Sequence, residues 1–395
     1  MIPDGYSAAY ATNYRWFKGS EPLMDRMLVG MVKTYSASSE VTDSAAAGTA
    51  MATGVKTKNG MISISPKGKK LQTILEAASD AGKSSGLVVT STVTHATPAV
   101  FASHVTSRKK EAEIAKQYIG KVDVILGGGK KYFLPKSQGG VLQNEDLIAT
   151  ALRQGYQLVE SKEELHTAKK NKLLGLFAEE MMASELDRQK TSQPSLADMT
   201  KKAIETLDRN KKGFFLMVEG SQIDQAIHNH DAAWAMADTA AFEKAVEVAL
   251  DFAKKNGKTL IVIAGDHDTG GMSVGGYEQY QANVDLLRQV KATGEEMARQ
   301  LRPDRTNIRA TVKNATQLDL TDTEVQKIRN ANNPTRAIND VISKRALIGW
   351  TSSVHTGTDV PLYAYGPASE LFAGLKDNTD LPKLMAKAMG IKLNN

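Results

Sequence analysis

Several stretches of this 395-residue chain put ionisable side chains where packing gains nothing from them. The apolar run Leu260-Ile261-Val262-Ile263-Ala264 has the length of a buried strand and leads into Gly265-Asp266-His267-Asp268-Thr269-Gly270-Gly271. Three ionisable residues in a row on a glycine-bracketed loop are poor core material, because unpaired buried charge is costly, and good ligand material. A second run, Phe214 to Val218, leads into Glu219-Gly220-Ser221-Gln222-Ile223-Asp224, with His228 one helical turn beyond Asp224. On a helix those two share a face and can chelate one ion; the plainer reading is a solvated cap and an exposed histidine. A third run is followed by Thr94-His95-Ala96-Thr97-Pro98, with Arg108 further along.

Asp4, in Pro3-Asp4-Gly5, and His355, just ahead of a last apolar run, also fall in loops that flank strands. Asp43-Ser44 opens a run of very small residues, Ala45-Ala46-Ala47-Gly48-Thr49-Ala50. Taken alone, either residue reads as a helix N-cap. In company, a serine at a helix N-terminus sits in the positive end of the dipole beside free N–H groups, a place suited to a phosphate or an alkoxide. Small neighbours let other elements approach it closely. Four of the seven histidines belong to these loops. Mixed His and carboxylate donors favour Zn²⁺ where imidazole is present and Mg²⁺ where only oxygen is offered, so more than one metal is implied.

Composition narrows the rest. There is no cysteine, which removes disulfides, Cys-ligated zinc, iron–sulfur clusters and thiol nucleophiles together. The 50 basic and 44 acidic residues give a net charge of +6, scattered along the chain, which reads as a solvated surface and not as a nucleic-acid footprint. No apolar run approaches the roughly 18 to 20 residues of a membrane-spanning helix. Met1-Ile2-Pro3-Asp4-Gly5 carries no signal-peptide pattern, and its Asp-Gly reads as the end of a strand whose earlier residues do not precede it. A piece of a longer protein is the expectation there.

From residue 69 onward, helical patterns alternate with short apolar runs, the signature of a mainly parallel sheet covered by helices. Helices are expected over 70–81, 195–210 with Ser195 as N-cap, and 231–255, and strands over 86–90, 122–126 closed by the glycines at 127–129, 213–219, 259–264 and 361–365. The expected fold class is α/β, a three-layer α/β/α sandwich with a largely parallel central sheet, in one domain over 1–395. Residues 276–348 are polar and only weakly periodic, and are expected to form an inserted cap or crown-like region.

Set side by side, these segments resemble the alkaline phosphatase family. The resemblance rests on Pro3-Asp4-Gly5, Thr42-Asp43-Ser44-Ala45 through Asn59-Gly60, His95-Ala96-Thr97-Pro98 through Arg108, Glu219 to Asp224 with His228, Gly265 to Gly271, and His355-Thr356-Gly357, in family order along nearly the whole chain. It implies that Ser44 is a nucleophile that becomes phosphorylated and that Arg108 clamps two phosphate oxygens. Asp224, His228 and His355 would hold one zinc, which activates water. Asp4, Asp266 and His267 would hold a second, which acts on the Ser44 hydroxyl. Asp4, Thr97 and Glu219 would hold a third ion, usually magnesium. The best-known bacterial relative has Asp in place of His95 and Lys in place of Gln225, so with His95 the third site could also take zinc. The implied reaction is hydrolysis of phosphate monoesters of broad specificity, by an exported homodimer that is secreted, periplasmic or on the cell surface. A phosphodiesterase or sulfatase of the same superfamily, or a non-catalytic phosphate-binding surface protein, is the rival. His104 is assigned to packing or to support of a ligand, His166 to the surface, and His230 is expected to point away from its neighbour His228.

Overall fold

Alternation along the apolar runs decides the layers of this molecule, seen in a computed structural model that describes residues 1–395. The strands are β1 (Ile2–Pro3), β2 (Leu28–Lys33), β3 (Ser84–Thr92), β4 (Val124–Gly128), β5 (Gln157–Val159), β6 (Leu173–Leu176), β7 (Phe214–Gly220), β8 (Ile261–Ala264), β9 (Asp268–Thr269), β10 (His355–Thr356), β11 (Val360–Tyr365) and β12 (Gly374–Asp377). Six of them form a parallel sheet in the order β1-β7-β3-β4-β6-β5, and four more follow in the order β12-β2-β11-β8. The two sheets meet at β1. The Met1 amino group donates to Val262 O at 2.7 Å and Ala264 N donates to Met1 O at 3.3 Å, the pairing pattern of parallel neighbours. Only β11 runs against the rest, antiparallel to both β2 and β8. The largely parallel sheet expected from the sequence is therefore present, with one reversed strand.

Successive side chains of a strand point to opposite faces. Leu87, Val89, Ile125 and Met217 accordingly join a core under helices Ser44–Thr53, Ile74–Asp80, Ala96–Ala102 and Glu111–Tyr118. Val88, Val124, Leu126 and Val218 join the opposite core, under Leu196–Leu207 and Ala232–Asn256. The helix ends follow local chemistry. Ser195 and Thr73 each form a reciprocal capping box with the residue three ahead, Asp198 and Glu76, and Gly257 closes the long helix in the left-handed region at φ 63°. The helix expected over 70–81 starts later, at Ile74, because Lys70 is drawn into an antiparallel bridge with Ile64.

Gly127 and Gly128, expected to terminate β4, lie inside it. A Cβ on Gly127 would come within 2.7 Å of side-chain atoms of Val89 and Val93, and one on Gly128 within 2.1 Å of Glu180 O, so these glycines make room for packed side chains at 127 and for a passing backbone at 128. Residues 276–348 are more regular than their composition suggests. Four helices, Gly294–Arg299, Ile308–Thr316, Asp322–Asn330 and Pro334–Arg345, insert Met297, Ile308, Val312, Ile328, Ile338 and Ile342 into the same core as Trp234 and Met236. No helix of the protein is long and apolar enough to cross a membrane.

Two stability predictions follow from this packing. Helix Ser44–Thr53 lies so close to Ala96–Ala102 that a Cβ on Gly48 would sit 2.8 Å from Val100 Cγ2. Gly48→Val should cost about 1–3 kcal/mol through overpacking, read as a lower urea midpoint. Asp238 is buried, and although its Oδ2 accepts from Glu185 N at 3.0 Å, burial pushes it up to about 8. The unfolded chain loses that proton near pH 4 and the folded protein only near pH 8, so stability must fall as pH rises between them. Asp238→Asn removes this slope: urea midpoints should show the variant ahead of the parent at pH 8 and level with it below pH 4.

Candidate active site

Every segment named above for its chemistry ends at the carboxyl edge of a strand or at a helix N-terminus beside it, the place where open α/β sheets collect ligands. The register Ile2↔Glu219 and Pro3↔Gly220 sets Asp4 beside the end of β7. Helix Gln222–His228 follows at once and carries Asp224 and His228. Asp266 and His267 come directly after β8, and His95 and Thr97 stand at the start of Ala96–Ala102, after β3. The ladder of β9 with β10 pairs His355 with Thr269 and so brings a distant segment back to the site.

Three groups of donors result: Asp224 with His228 and His355, Asp4 with Asp266 and His267, and Asp4 with His95 and Glu219. Within each, the candidate ligand atoms all lie within 4.8 Å of one another. Thr97 is fully buried, and its Oγ1 has no partner. Ser44 Oγ lies 3.1 Å from His267 Nε2, which ties the serine to the second group. Of the histidines set aside above, His104 is held between Glu76 Oε1 at 2.9 Å and Ser63 O at 2.8 Å, and His166 is exposed. His230 is buried away from the three groups.

Asp4, Glu219, Asp224 and Asp266 are four carboxylates with almost no exposure. Burial, then the charges of Asp266, Asp224 and Glu219, push Asp4 well above the usual carboxylate range. Burial likewise pushes Glu219 up to about 7. Burial works in the same direction on Asp224, yet His228, His267 and His355 hold it below its ordinary value. His228 itself resists burial and is drawn up to about 9 by Asp224. Burial, with Arg108 beside it, lowers His95 to about 3, and burial with His267 lowers His355 to about 4, so both rings are neutral and able to ligate.

Seven buried polar atoms at this one place find no hydrogen-bond partner: Asp4 Oδ1 and Oδ2, Glu219 Oε1 and Oε2, Asp266 Oδ2, His95 Nδ1 and Thr97 Oγ1. Buried polar atoms are ordinarily paired, and anionic ones left bare are very costly. The donor set fits divalent cations. The imidazoles are oriented for it too, since His228 Nδ1 is 2.8 Å from Ser353 O and His355 Nδ1 is 2.9 Å from Thr42 O. Anchoring one ring nitrogen on a carbonyl fixes the tautomer and presents the other nitrogen.

Beside the carboxylates lie Asp43, Ser44 and Arg108. Asp43 is the N-cap of Ser44–Thr53 and accepts from Ala46 N at 3.0 Å, so the plain reading of this residue is correct. The same carboxylate accepts from Arg108 Nη1 at 3.1 Å, while Arg108 Nη2 is 2.9 Å from His95 Nε2. One cap therefore aligns both the helix that presents Ser44 and the guanidinium that faces it.

Sequence reasoning left several supporting residues without a role. Thr269 Oγ1 donates to Asp224 Oδ1 at 2.5 Å, and the Tyr10 hydroxyl donates to Thr269 O. Asp268 accepts from Gly271 N at 3.1 Å and Thr356 Oγ1 at 2.6 Å, which closes the loop between β9 and β10. Gly5 has φ 72°, and a Cβ there would stand 2.7 Å from Thr269 Oγ1 and 2.9 Å from Asp224 Oδ1. Asp268 and Thr269 lay within a quoted motif, but nothing local to Tyr10 marks it.

The alkaline phosphatase family model matches residues 1–391. Among curated relatives, alkaline phosphatase 3 of Bacillus subtilis (strain 168) is 42% identical, covering 100% of this chain and 89% of its own length. The crystal structure of a cold-active alkaline phosphatase from the psychrophile Shewanella sp. superposes with a TM-score of 0.89 at 37% identity, covering 98% of both chains. At 26% identity and a TM-score of 0.75, covering 99% of this chain and 96% of the other, there is also the alkaline phosphatase TAB5 as a variant with one histidine replaced by glutamate and Mg bound in its M3 site.

The bare carboxylates give a direct test. Stripping divalent ions with a chelator should lower the thermal midpoint by several degrees, and adding Zn²⁺ and Mg²⁺ back should restore it, because ions that bind only the folded state stabilise it by mass action. An unchanged midpoint, with no ion detected in the protein by elemental analysis, would show that the clusters hold no metal.

Proposed function

Since the chain belongs to the alkaline phosphatase family and is a phosphomonoesterase that works with metal cofactors, we propose that it hydrolyses phosphate monoesters of broad specificity through a phosphoserine formed on Ser44. The observation that carries this reading is the placement of Ser44 Oγ beside His267, at a helix N-terminus, with Arg108 aligned across from it by Asp43 and His95. Asp224, His228 and His355 would hold one Zn²⁺, and Asp4, Asp266 and His267 a second, with Ser44 completing it. Asp4, Thr97 and Glu219, joined by His95, would hold the third ion. Bound there, the ions supply Lewis-acid stabilisation of the attacking and leaving oxygens of an in-line displacement.

The third ion is Mg²⁺ in this reading, with Zn²⁺ the alternative because His95 offers a nitrogen.

The chain's own groups then do the following. Ser44 Oγ attacks phosphorus as the ester oxygen departs, and water later cleaves the Ser44 Oγ–P bond to release phosphate, with inversion at each step. The N–H groups at the start of Ser44–Thr53 and the guanidinium of Arg108 face the phosphoryl oxygens and grow in effect as charge develops there. The Asp43 carboxylate, which accepts from Arg108 Nη1, keeps that guanidinium from rotating. Because these contacts address only the phosphoryl group, little selection among leaving groups follows. Residues 276–348 are a crown-like subregion of a single catalytic domain in this reading, and the family likeness supports an exported homodimer.

The decisive experiment is release of p-nitrophenol from its phosphate monoester at alkaline pH, with the diester run alongside. Ser44→Ala should lose at least about a thousandfold in kcat with the fold and ion content retained. Arg108→Ala should lose about a hundredfold in kcat/KM. Hydrolysis of the diester alone, or full activity in Ser44→Ala, would overturn the phosphoserine route, and phosphate binding without turnover would move the protein to a binding role.

A further inference from the structure

His230 belongs to the run His228-Asn229-His230, yet it is a member of none of the three donor groups. Its backbone is left-handed, with φ 53°, a conformation a histidine holds only when its surroundings over-determine it. Those surroundings are specific. The ring is 5% exposed and lies flat against Trp350, with centroids 4.7 Å apart and planes at 18°. Its Nε2 is 2.8 Å from both Ser352 O and Arg336 Nη2, its Nδ1 is 3.6 Å from Asp340 Oδ1, and its backbone carbonyl accepts from Ser343 Oγ at 3.1 Å. The flanking residues are gripped from the same side: Asn339 Nδ2 donates to Asn229 O at 2.9 Å and Gly294 N donates to Asp231 Oδ2 at 2.8 Å.

Asn339 and Ser343 are one turn apart on helix Pro334–Arg345, so a single face of that helix holds the 229–231 turn. His230 passes the grip on to residues 350–352. The two segments joined in this way are those that carry His228 and His355, and they meet nowhere near each other in sequence. Ser353 O, the carbonyl that orients His228, lies next to the one His230 contacts. Without such a tie, movement of either segment alone would open the group that Asp224 completes.

We propose that helix Pro334–Arg345, acting through Asn339, Ser343 and His230, sets the separation of His228 from His355 and thereby retains the ion they hold with Asp224. This rests on the reading that those three residues bind a metal. Asn339, Ser343 and His230 are positioning residues: none of them belongs to a donor group.

The test uses the zinc-loaded protein and follows transfer of Zn²⁺ to a chromogenic chelator, a readout independent of turnover. Asn339→Ala and His230→Ala should speed loss of one ion about tenfold, the scale typical when support behind a metal ligand is removed, and leave the others unchanged. His230→Gln, whose amide can still donate toward Ser352 O, should recover most of the retention, which a purely structural role would not produce. Ser343→Ala removes one hydroxyl and serves if the larger changes fail to fold, with a smaller acceleration expected. Lys313→Ala, on the exposed side of the same region, is the control and should release ions like the parent. His228→Ala must hold one ion fewer than the parent; if it does not, the metal reading fails and not the positioning one. If His228→Ala does lose an ion but the folded Asn339, Ser343 and His230 variants release zinc at the parental rate, or lose every ion equally faster, the positioning role is wrong.

Discussion

Four carboxylates packed together without exposure make the constraint on which the rest of this structure depends. Asp4, Glu219, Asp224 and Asp266 repel one another in a medium that screens poorly; His228 and His267 offset Asp224 and Asp266, while the oxygens of Asp4 and Glu219 find no hydrogen-bond partner and Arg108 is bound up with Asp43. Such a cluster is relieved by protonation, as the raised Asp4 and Glu219 show, or by a bound metal, and any ion held only by the folded state would link binding to folding at this point. Asp4 belongs to two of the three donor groups, which forces those two sites to be neighbours. In-line displacement at phosphorus calls for that adjacency, with one centre for the oxygen that attacks and one for the oxygen that leaves.

Holding like charges together calls for a stiff frame, and the frame is the sheet. β1, only two residues long, is flanked by β7 and β8, so the backbone that delivers Asp4 is gripped from both sides. Gly5 then lets the chain pass within van der Waals reach of Asp224 and Thr269. On the Ser44 side one N-cap, Asp43, both satisfies a helix terminus and fixes the Arg108 guanidinium. Small residues along Ser44–Thr53 let this helix seat deeply against Ala96–Ala102, which carries Thr97.

The helices of residues 276–348 bear on the site from outside. They touch none of the donor groups, but their apolar side chains share a core with the long helix Ala232–Asn256, and their polar side chains hold the turn that precedes it. Rigidity in that turn is transmitted directly to His228.

Local chemistry was legible in the sequence. Glycine-bracketed Asp266-His267, the Asp224 to His228 spacing, the Asp43-Ser44 cap and the capping residue Ser195 are short-range patterns, and each stands where its pattern placed it. The buried strands β3, β7 and β8 were legible for the same reason, because continuous apolar runs have one use in an α/β fold. Tertiary structure alone decided the remainder. β2, β5, β6 and β12 are short or partly exposed, so they carry no periodic signal and exist through their partners. The helices after residue 284 take their regularity from a core contributed by a distant helix. Glycines 127 and 128 read as a stop because sequence cannot show that Val89 and Val93 side chains, or the backbone at Glu180, pass 2.1–2.7 Å from where their side chains would be. His230 reads in sequence only as a ring turned away from His228, and what holds it, Trp350, Ser352 and Ser343, is brought to it by folding. Patterns in sequence report what neighbours along the chain require, whereas these features answer to atoms that only folding brings near.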